Sequence, residues 1–332
     1  MTSLLALDFE EIRSILSLYH LDGLVSHKTL YREKLETLYW VETSQQSYFL
    51  RVCIGRAFGH MVFEKDLLKY LSQQSLPVPM IEENVASGAF TPWSVDGRYI
   101  SLYRGVAGRS IGRFEFGEQH CQKVGEFLAH LHSLSDGFSS RSSAKNVVAL
   151  VRFAYQSVLG NIEQHQDFAR LSLELSELES ELEEQECRTF IGPKGIHHGG
   201  IKISSLLFQQ TELTLVRGFS GCGHDRFLFD LAKAIYDCCW IPDPASQQGP
   251  SGTYDLERIN AVVRGYVDIT NTPRSFWLAL SEDLRLCALT SAIRRLKAFE
   301  LDNEKTMVFE DYRHDISKLR ALRRLGKLEP DI

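Results

Sequence analysis

The 332-residue sequence lacks the features that mark unusual classes of protein. It has only 9 prolines, and 44% of its residues are hydrophobic, so a disordered or collagen-like chain is excluded. Basic residues are not in excess, because 37 Lys and Arg accompany 43 Asp and Glu, which gives a formal charge of -6. We therefore expect no general electrostatic affinity for nucleic acid or for anionic lipid.

Long apolar runs are also missing. No stretch approaches the roughly 18 uninterrupted apolar residues that a membrane span needs, because charges interrupt the best candidates every few positions. The first residues, MTSLLALDFEEIRS, carry no basic cluster and are interrupted by Asp8, Glu10 and Glu11, so a secretory signal is not expected. The sequence thus predicts a cytoplasmic protein without a membrane partner.

The cysteines form no recognisable pairing pattern. There are 7 of them, an odd number, with no CxxC pair and with spacings that fit neither a disulfide framework nor a zinc site. We therefore expect reduced, mostly buried thiols and no structural metal ion.

The first third of the chain alternates between helical and strand-like patterns. Asp8 is suited to cap a helix that runs to about residue 18. The β-type runs cover residues 23–30, 37–42, 47–53 and 99–103, and a helical pattern covers residues 60–73. These patterns predict an N-lobe over residues 1–103, made of a small antiparallel sheet and a helix.

After Arg104 the spacing of apolar residues becomes helical, which predicts a mainly helical C-lobe over residues 104–332. The fold class is therefore α+β with two lobes. The acidic segment 171–186 is most simply the solvated face of a helix, with a partner-binding surface as the alternative. The basic stretch 313–327 is best explained as a packed amphipathic helix, since its leucines form a stripe, and a nucleic-acid patch is the weaker alternative.

Two segments interrupt the helices of the second half. One is GIHHGGIKISSLLF, residues 195–208, and the other is LTLVRGF, residues 213–219. A glycine-rich loop, a short apolar strand, a polar turn at 209–212 and a second strand predict a hairpin, and FLFDLAKAIYD then begins a helix.

In order and spacing, these segments resemble the aminoglycoside phosphotransferase and type II homoserine kinase branch of the protein-kinase-like superfamily. That family carries His-Gly-Asp, an Asn five residues later, then Asp-Phe, and a helix that begins Asp-Leu-Ala. Here His198, Gly199 and Phe219 match, and so do Asp230, Leu231 and Ala232. The resemblance implies a bilobal protein-kinase-like fold and ATP-dependent phosphorylation of a hydroxyl on a small molecule.

The departures from the family pattern fall on the positions that carry its chemistry. The family's proton-accepting Asp is Gly200 here, and the two metal-binding positions are Ser205 and Gly218. A proton acceptor and hard oxygen ligands for Mg²⁺ are therefore missing at these positions, so no catalytic set is intact and no metal or cofactor is expected. His198 is the one alternative base, but the resemblance implies a packing role in the loop for this residue.

The nucleotide-binding positions also differ. Arg51 occupies the strand position where many relatives place a phosphate-binding lysine, and Glu64 in the following helix is its expected ion-pair partner. The segment LYREKLET, residues 30–37, has no glycine where relatives have a glycine-containing turn, and Glu33 and Glu36 add negative charge there. Arg51 and Glu64 therefore mark a vestigial nucleotide site.

The resemblance and its departures together predict a pseudokinase-like protein. We expect a catalytically inactive relative of homoserine kinase that serves as a binding or regulatory scaffold. Its expected partner is a small molecule in the interlobe cleft or another protein, and not a nucleic acid. The alternative is a residual phosphotransferase that acts on a small substrate such as homoserine and uses ATP and Mg²⁺.

Overall fold

The computed structural model describes residues 6–32, 35–84, 88, 91–92, 97–139, 147–162, 168–190, 192–246, 250–302 and 308–328. The helices are α1 Phe9–Ser17, α2 Phe58–Gln73, α3 Glu118–Ser133, α4 Val147–Ile162, α5 Phe168–Glu186, α6 Phe227–Cys238, α7 Leu256–Thr270, α8 Leu280–Asp302 and α9 Val308–Leu325. The strands are β1 Leu24–Arg32, β2 Glu36–Thr43, β3 Ser47–Cys53, β4 Ile81–Glu82, β5 Thr91–Pro92, β6 Tyr99–Arg104, β7 Lys194–His197, β8 Leu206–Gln209, β9 Glu212–Val216, β10 Gly223–Arg226, β11 Trp240–Pro242 and β12 Gly252–Tyr254.

The chain divides into two compact units. The first unit contains the described parts of Met1–Ser110, Phe138–Ser142 and Leu206–Ser220. Its main sheet is antiparallel with the strand order β1-β2-β3-β6-β4, and β5 also pairs with β6. The helix that the sequence predicts after Asp8 is α1. Asp8 and Glu11 form a capping box: each side chain accepts a hydrogen bond from the backbone N–H of the other residue.

One face of this sheet forms the hydrophobic core of the first unit. Alternate residues of β3, such as Leu50 and Val52, point to this face, where they join the buried face of α1, which includes Ile12 and Ile15. Because successive side chains in a strand point to opposite faces of the sheet, the Arg51 side chain lies on the face opposite to this core. The polar cluster around Arg51, described below, is on that face.

The hairpin of β8 and β9 also belongs to the first unit. The Val216 N–H donates to the Pro77 carbonyl at 2.7 Å, and Arg109 and Phe208 exchange two backbone hydrogen bonds of 2.9 Å. The sequence pattern places this hairpin, up to residue 219, in the helical C-lobe. It joins the sheet-containing unit instead, because the backbone groups at its edges find their hydrogen-bond partners there.

The second unit contains the described parts of Ile111–Gly137, Ser143–Ser205 and Gly221–Ile332, and it is mainly helical. Helices α3 and α7 approach closely through a glycine on each. A Cβ added at Gly125 would lie 2.1 Å from the Val262 carbonyl oxygen, and one at Gly265 would lie 2.2 Å from the Gln122 oxygen. Glycine at both positions therefore permits this close contact. Among the described residues, no helix combines the length and the apolar character needed to cross a bilayer.

The acidic helix α5 is solvated in part, as the sequence predicts: Glu179, Glu183 and Glu186 are exposed, whereas Leu175, Leu178 and Leu182 are buried. Three of its other glutamates form ion pairs with α9, the helix that contains the basic stretch. The pairs are Glu174 with Arg313, Glu177 with Arg320, and Glu181 with Arg323. The sequence does not link the two segments, because their complementary charges lie more than a hundred residues apart. The basic residues in these pairs therefore have acidic partners within the chain.

All 7 cysteines are free thiols, and Cys187 alone of them is exposed. This agrees with the expectation of reduced, mostly buried cysteines. Burial raises the pKa values of Cys238 and Cys239 well above the ordinary value, so both are protonated near neutral pH.

Candidate functional site

The glycine-rich loop lies in the second unit, between β7 and the turn that leads to β8. Strand β7 pairs with β10, which places His197 opposite Gly223. Gly199 and Gly200 have φ angles of 92° and 139°, values that residues with a side chain rarely adopt. A Cβ at Gly199 would also lie 2.1 Å from the Gly221 carbonyl oxygen, whereas a Cβ at Gly200 would meet only the Lys233 Cδ at 4.0 Å. Space is therefore available at Gly200, but the backbone conformation there disfavours an aspartate.

Asp230, on the first turn of α6, holds this loop in place. Its carboxylate accepts hydrogen bonds from the backbone N–H groups of His198 at 2.7 Å and Gly199 at 2.9 Å. The side chain of His132 lies 3.3 Å from the same carboxylate. Burial alone would raise the pKa of Asp230, but the hydrogen bond with His132 and the nearby Lys233 hold it well below the ordinary value. Asp230 is thus an ionised, fully buried brace for the loop.

The histidines around Asp230 are buried as well. The His132 ring stacks on Phe227 with centroids 4.2 Å apart, and its Nδ1 lies 3.0 Å from the Tyr266 hydroxyl. Burial lowers the pKa of His132, and it lowers that of His197 to about 3, although Asp230 acts in the opposite direction on both. Near neutral pH these rings are therefore neutral. The side chain of His198 is fully buried, which favours the packing role over that of a base.

Ser205 uses its hydroxyl to close a local turn. The hydroxyl donates to the Lys202 carbonyl at 2.7 Å and accepts from the Lys202 N–H at 3.2 Å. The same loop is tied to α6 by the Ile203 N–H, which donates to Asp237 at 2.8 Å. Gly200 has no side-chain oxygen, and the hydroxyl oxygen of Ser205 is already hydrogen-bonded to Lys202. The donors at these positions therefore do not suit a Mg²⁺ ion, which needs several hard oxygen ligands.

Gly218, which the resemblance aligns with a metal-binding position, lies in the first unit just after β9. Its φ angle is 87°, again in the region that favours glycine. Phe219 is buried, and the carbonyl of Ser220 accepts hydrogen bonds from Arg56 Nη2 at 2.5 Å and from His60 Nε2 at 2.9 Å. This segment is therefore fixed by the residues at the start of α2.

Across the parts of the chain that the structure covers, no group of three or more His, Cys, Asp or Glu side chains is arranged to hold a metal ion.

Arg51 and Glu64 form the ion pair that the sequence predicts. Nη1 and Nη2 of Arg51 donate to the two carboxylate oxygens of Glu64 at 2.5 and 3.0 Å, and Nη1 also donates to the Tyr103 hydroxyl at 3.0 Å. A second arginine, Arg56, donates to Glu64 at 3.0 Å. Glu36 on β2 lies 3.2 Å from Arg51 Nε. The five side chains form one polar cluster in the first unit, in which Arg51, Glu64 and Tyr103 are buried and Arg56 and Glu36 are partly buried.

In this cluster, opposite charges shift the pKa values of Arg51 and Glu64 so that the charged forms are favoured. Burial alone would lower the pKa of Arg51, but Glu64, Tyr103 and Glu36 raise it well above the ordinary value. For Glu64, burial acts to raise the pKa, and the two arginines lower it below the ordinary value. Arg51 and Glu64 are therefore both charged, and each stabilises the charge of the other.

The sequence pattern does not single out Arg56, and it marks Glu36 only as a negative charge in a turn. The strand register contains the signal for Glu36. Leu38 is paired with Arg51, so Glu36 is a diagonal neighbour of Arg51 on the same face of the sheet. Glu33, the other acidic residue of that turn, lies outside the described residues.

The chain is similar to known proteins in both sequence and structure. The sequence model of the phosphotransferase enzyme family matches residues 33–260. Homoserine kinase of Polaromonas naphthalenivorans is 25% identical over 310 residues, which cover 90% of this chain and 90% of that protein. Homoserine kinase of Methylobacillus flagellatus is 24% identical over 292 residues, which cover 87% of this chain and 84% of that protein.

Solved structures of kinases are similar to this chain over nearly its whole length. An amicoumacin kinase in complex with AMP-PNP and Ca²⁺ superposes with a TM-score of 0.69 at 15% identity, covering 98% of this chain and 96% of that one. A choline kinase from Cryptosporidium parvum superposes with a TM-score of 0.65 at 14% identity, and the match covers 97% of this chain and 98% of that one. These similarities confirm the expected kinase-like fold, with a small antiparallel sheet and a mainly helical remainder.

Proposed function

Because the chain belongs to the phosphotransferase enzyme family, whose sequence model covers more than half of it, we propose that it is a member that has lost Mg-ATP-dependent phosphoryl transfer. In this proposal the protein is a pseudokinase-like relative of homoserine kinase that acts in the cytoplasm as a binding or regulatory scaffold. One observation carries the proposal: Gly200, Ser205 and Gly218 replace the three residues that supply oxygen atoms to the family's reaction.

The chemistry of phosphoryl transfer explains why these three replacements would lower the reaction rate. A hydroxyl nucleophile needs an acceptor for its proton, and general-base catalysis contributes roughly 10²- to 10⁴-fold in rate. Neutralisation of phosphate charge by a metal ion contributes several kcal/mol more, although the two effects are not additive. Gly200 supplies no acceptor, and the Ser205 hydroxyl is bonded to Lys202. Loss of both contributions would leave little turnover.

The residues that the chain keeps support a binding role. Asp230 holds the glycine-rich loop through two hydrogen bonds, and Arg51 pairs with Glu64. In the proposal these supporting interactions are kept although the reactive groups are replaced. In the proposal the protein binds a small molecule or a protein partner.

The proposal is tested by measuring thermal unfolding with Mg-ATP and with ATP alone, and by assaying ATP-dependent phosphorylation of homoserine. An active homoserine kinase serves as the parallel control. We expect no metal-dependent stabilisation and no turnover above the background without protein. Stabilisation that requires Mg²⁺, together with phosphorylation at a rate comparable to the control, would contradict the proposal.

A residual phosphotransferase is the second candidate function. The length-wide similarity to homoserine kinases favours it, since relatives of this kind act on a small hydroxylated substrate according to their names. This candidate requires ATP and Mg²⁺, with metal ligands other than residues 200, 205 and 218. The same assay separates it from the first proposal.

A further inference from the structure

Two aspartates of α6 hold the loop segment 198–203 at its two ends. Asp230 accepts hydrogen bonds from the first two N–H groups of the segment at 2.7 and 2.9 Å. Asp237, two turns further along the helix, accepts one from the Ile203 N–H at 2.8 Å. At each end, therefore, the backbone donors of the loop face an acceptor on the helix.

The middle of the segment faces a lysine instead. Lys233 lies on α6 between the two aspartates, and a Cβ at Gly200 would lie 4.0 Å from its Cδ. Because a lysine side chain contains donors only, it cannot accept a hydrogen bond from the N–H groups of Gly200 and Ile201. Among the described residues, no atom accepts a hydrogen bond from either group. Ile201 is only 1% exposed, so water has little access to its N–H group, and buried backbone donors without an acceptor are rare and costly.

The ammonium group of Lys233 also has no anionic partner. Within the part of the chain that the structure describes, no carboxylate lies at ion-pair distance from it. Its Nζ lies 4.4 Å from the centre of the Phe229 ring, which is a cation–π contact and not a hydrogen bond to an oxygen atom. The carboxylate of Asp230 is already engaged, because it is bonded to the loop and lies 3.3 Å from His132. A cation and two backbone donors thus share one place without an acceptor.

The missing partner is an acceptor with one negative charge. A carboxylate group has two oxygen atoms and a single charge, which match two N–H groups and one ammonium group. A phosphate dianion suits the place less well, since a single lysine would balance only part of its charge and the ionised Asp230 would repel it more strongly. Space is available, because a Cβ at Gly200 would meet no atom closer than Lys233 Cδ at 4.0 Å.

We propose that the N–H groups of Gly200 and Ile201, together with Lys233, form a binding site for the carboxylate group of a small molecule. Binding at this site requires neither a metal ion nor a nucleotide. The inference rests on the proposed binding function, to which it adds a ligand class. Glycine at position 200 both removes the side chain that would accept a proton and leaves the space that the ligand carboxylate occupies.

The test follows the backbone amide signals of Gly200 and Ile201 by NMR while formate is added to the full chain at constant ionic strength. Four proteins are compared: the native chain, Lys233→Met, Lys233→Arg and the control Lys202→Met. Methionine keeps an unbranched apolar stem without the charge, and arginine keeps the charge. Lys202 is an exposed lysine of the same loop, so its replacement changes the net charge equally.

We expect formate to shift both amide signals saturably in the native chain and in Lys202→Met. The dissociation constant should be about tenfold or more higher in Lys233→Met, because a unit charge within a few ångströms of the ligand is lost. In Lys233→Arg it should remain within a few fold of the native value, since the positive charge is retained.

Three results would overturn the proposal: no saturable shift at the two amides of the native chain, an unchanged dissociation constant in Lys233→Met, or an equal weakening in Lys202→Met, which would reduce the effect to net charge. Parallel titrations use phosphate and chloride. Tighter binding of either ion than of formate would refute the assignment to carboxylates, and weaker binding of both would support it.

Two further points of design keep the result decisive. Circular dichroism and the melting temperature establish that each variant is folded, and Lys233→Gln removes the same charge if the methionine variant is not. The titrations contain neither ATP nor Mg²⁺. Phosphorylation in the homoserine assay would therefore refute the loss of phosphoryl transfer, whereas the amide shifts alone decide the carboxylate site.

Discussion

Replacement of Asp230 by asparagine tests whether this residue is the brace of the glycine-rich loop. The carboxylate is buried and accepts two backbone hydrogen bonds from the loop, in addition to its contact with His132. An asparagine amide offers one oxygen instead of two, so at least one buried N–H group of His198 or Gly199 would face an NH₂ group. Each unsatisfied buried group costs about 1–3 kcal/mol, and the lost charge adds to this cost.

We therefore expect Asp230→Asn to lower the free energy of unfolding by about 3 kcal/mol at pH 7. The measurement is urea-induced unfolding followed by circular dichroism. Asp225→Asn is the matched control, because the carboxylate of Asp225 bonds only to the N–H of the next residue among the contacts described, and the expected cost there is below about 1 kcal/mol.

Amide hydrogen exchange adds a local readout to this prediction. The N–H groups of His198 and Gly199 are expected to exchange on the order of 100-fold faster in Asp230→Asn, since about 3 kcal/mol of local stability is lost. A loss of stability no larger than that in Asp225→Asn, or unchanged exchange at the two loop amides, would refute the bracing role.

Two other predictions concern pH and helix packing. Because burial lowers the pKa of His197 to about 3, the unfolded state alone takes up a proton as the pH falls below about 6.5, so stability falls by about 1.4 kcal/mol per pH unit for this group. His197→Gln should flatten the stability profile between pH 6.5 and 5 in urea titrations, and an unchanged slope would contradict this assignment. Gly125→Ala should destabilise the protein by about 1–3 kcal/mol in thermal unfolding, because its Cβ would lie 2.1 Å from the Val262 oxygen. Gly160→Ala, whose Cβ would meet nothing within 4 Å, should stabilise α4 by up to about 1 kcal/mol, and similar values for the two variants would contradict the packing argument.

The sequence predicts the elements of this fold well where the pattern is local. The helix capped by Asp8, the strands of the first unit and the hairpin before residue 219 all appear near their expected bounds. Each of these depends on periodicity or on turn residues within a short window, which a single sequence contains.

Contacts between distant segments are harder to predict. The hairpin finds its backbone partners at Pro77 and Arg109, and the glutamates of α5 find theirs on α9. The ion pair of Arg51 with Glu64 follows from the family resemblance, whereas Arg56 and Tyr103 require the three-dimensional structure. No periodicity in the sequence specifies which of several arginines will share a buried carboxylate.

The residues retained from the family pattern differ in a physical sense from those that are replaced. Asp230 and Glu64 are buried and satisfy several donors each, so their loss would leave unpaired groups and destabilise the fold. At position 200 a side chain would meet almost nothing, so glycine costs the fold no contact. Gly200 and Gly218 also have positive φ angles, which an aspartate would adopt only with strain. Folding therefore depends on Asp230 and Glu64 and does not require a side chain at position 200, which is compatible with the proposed loss of phosphoryl transfer.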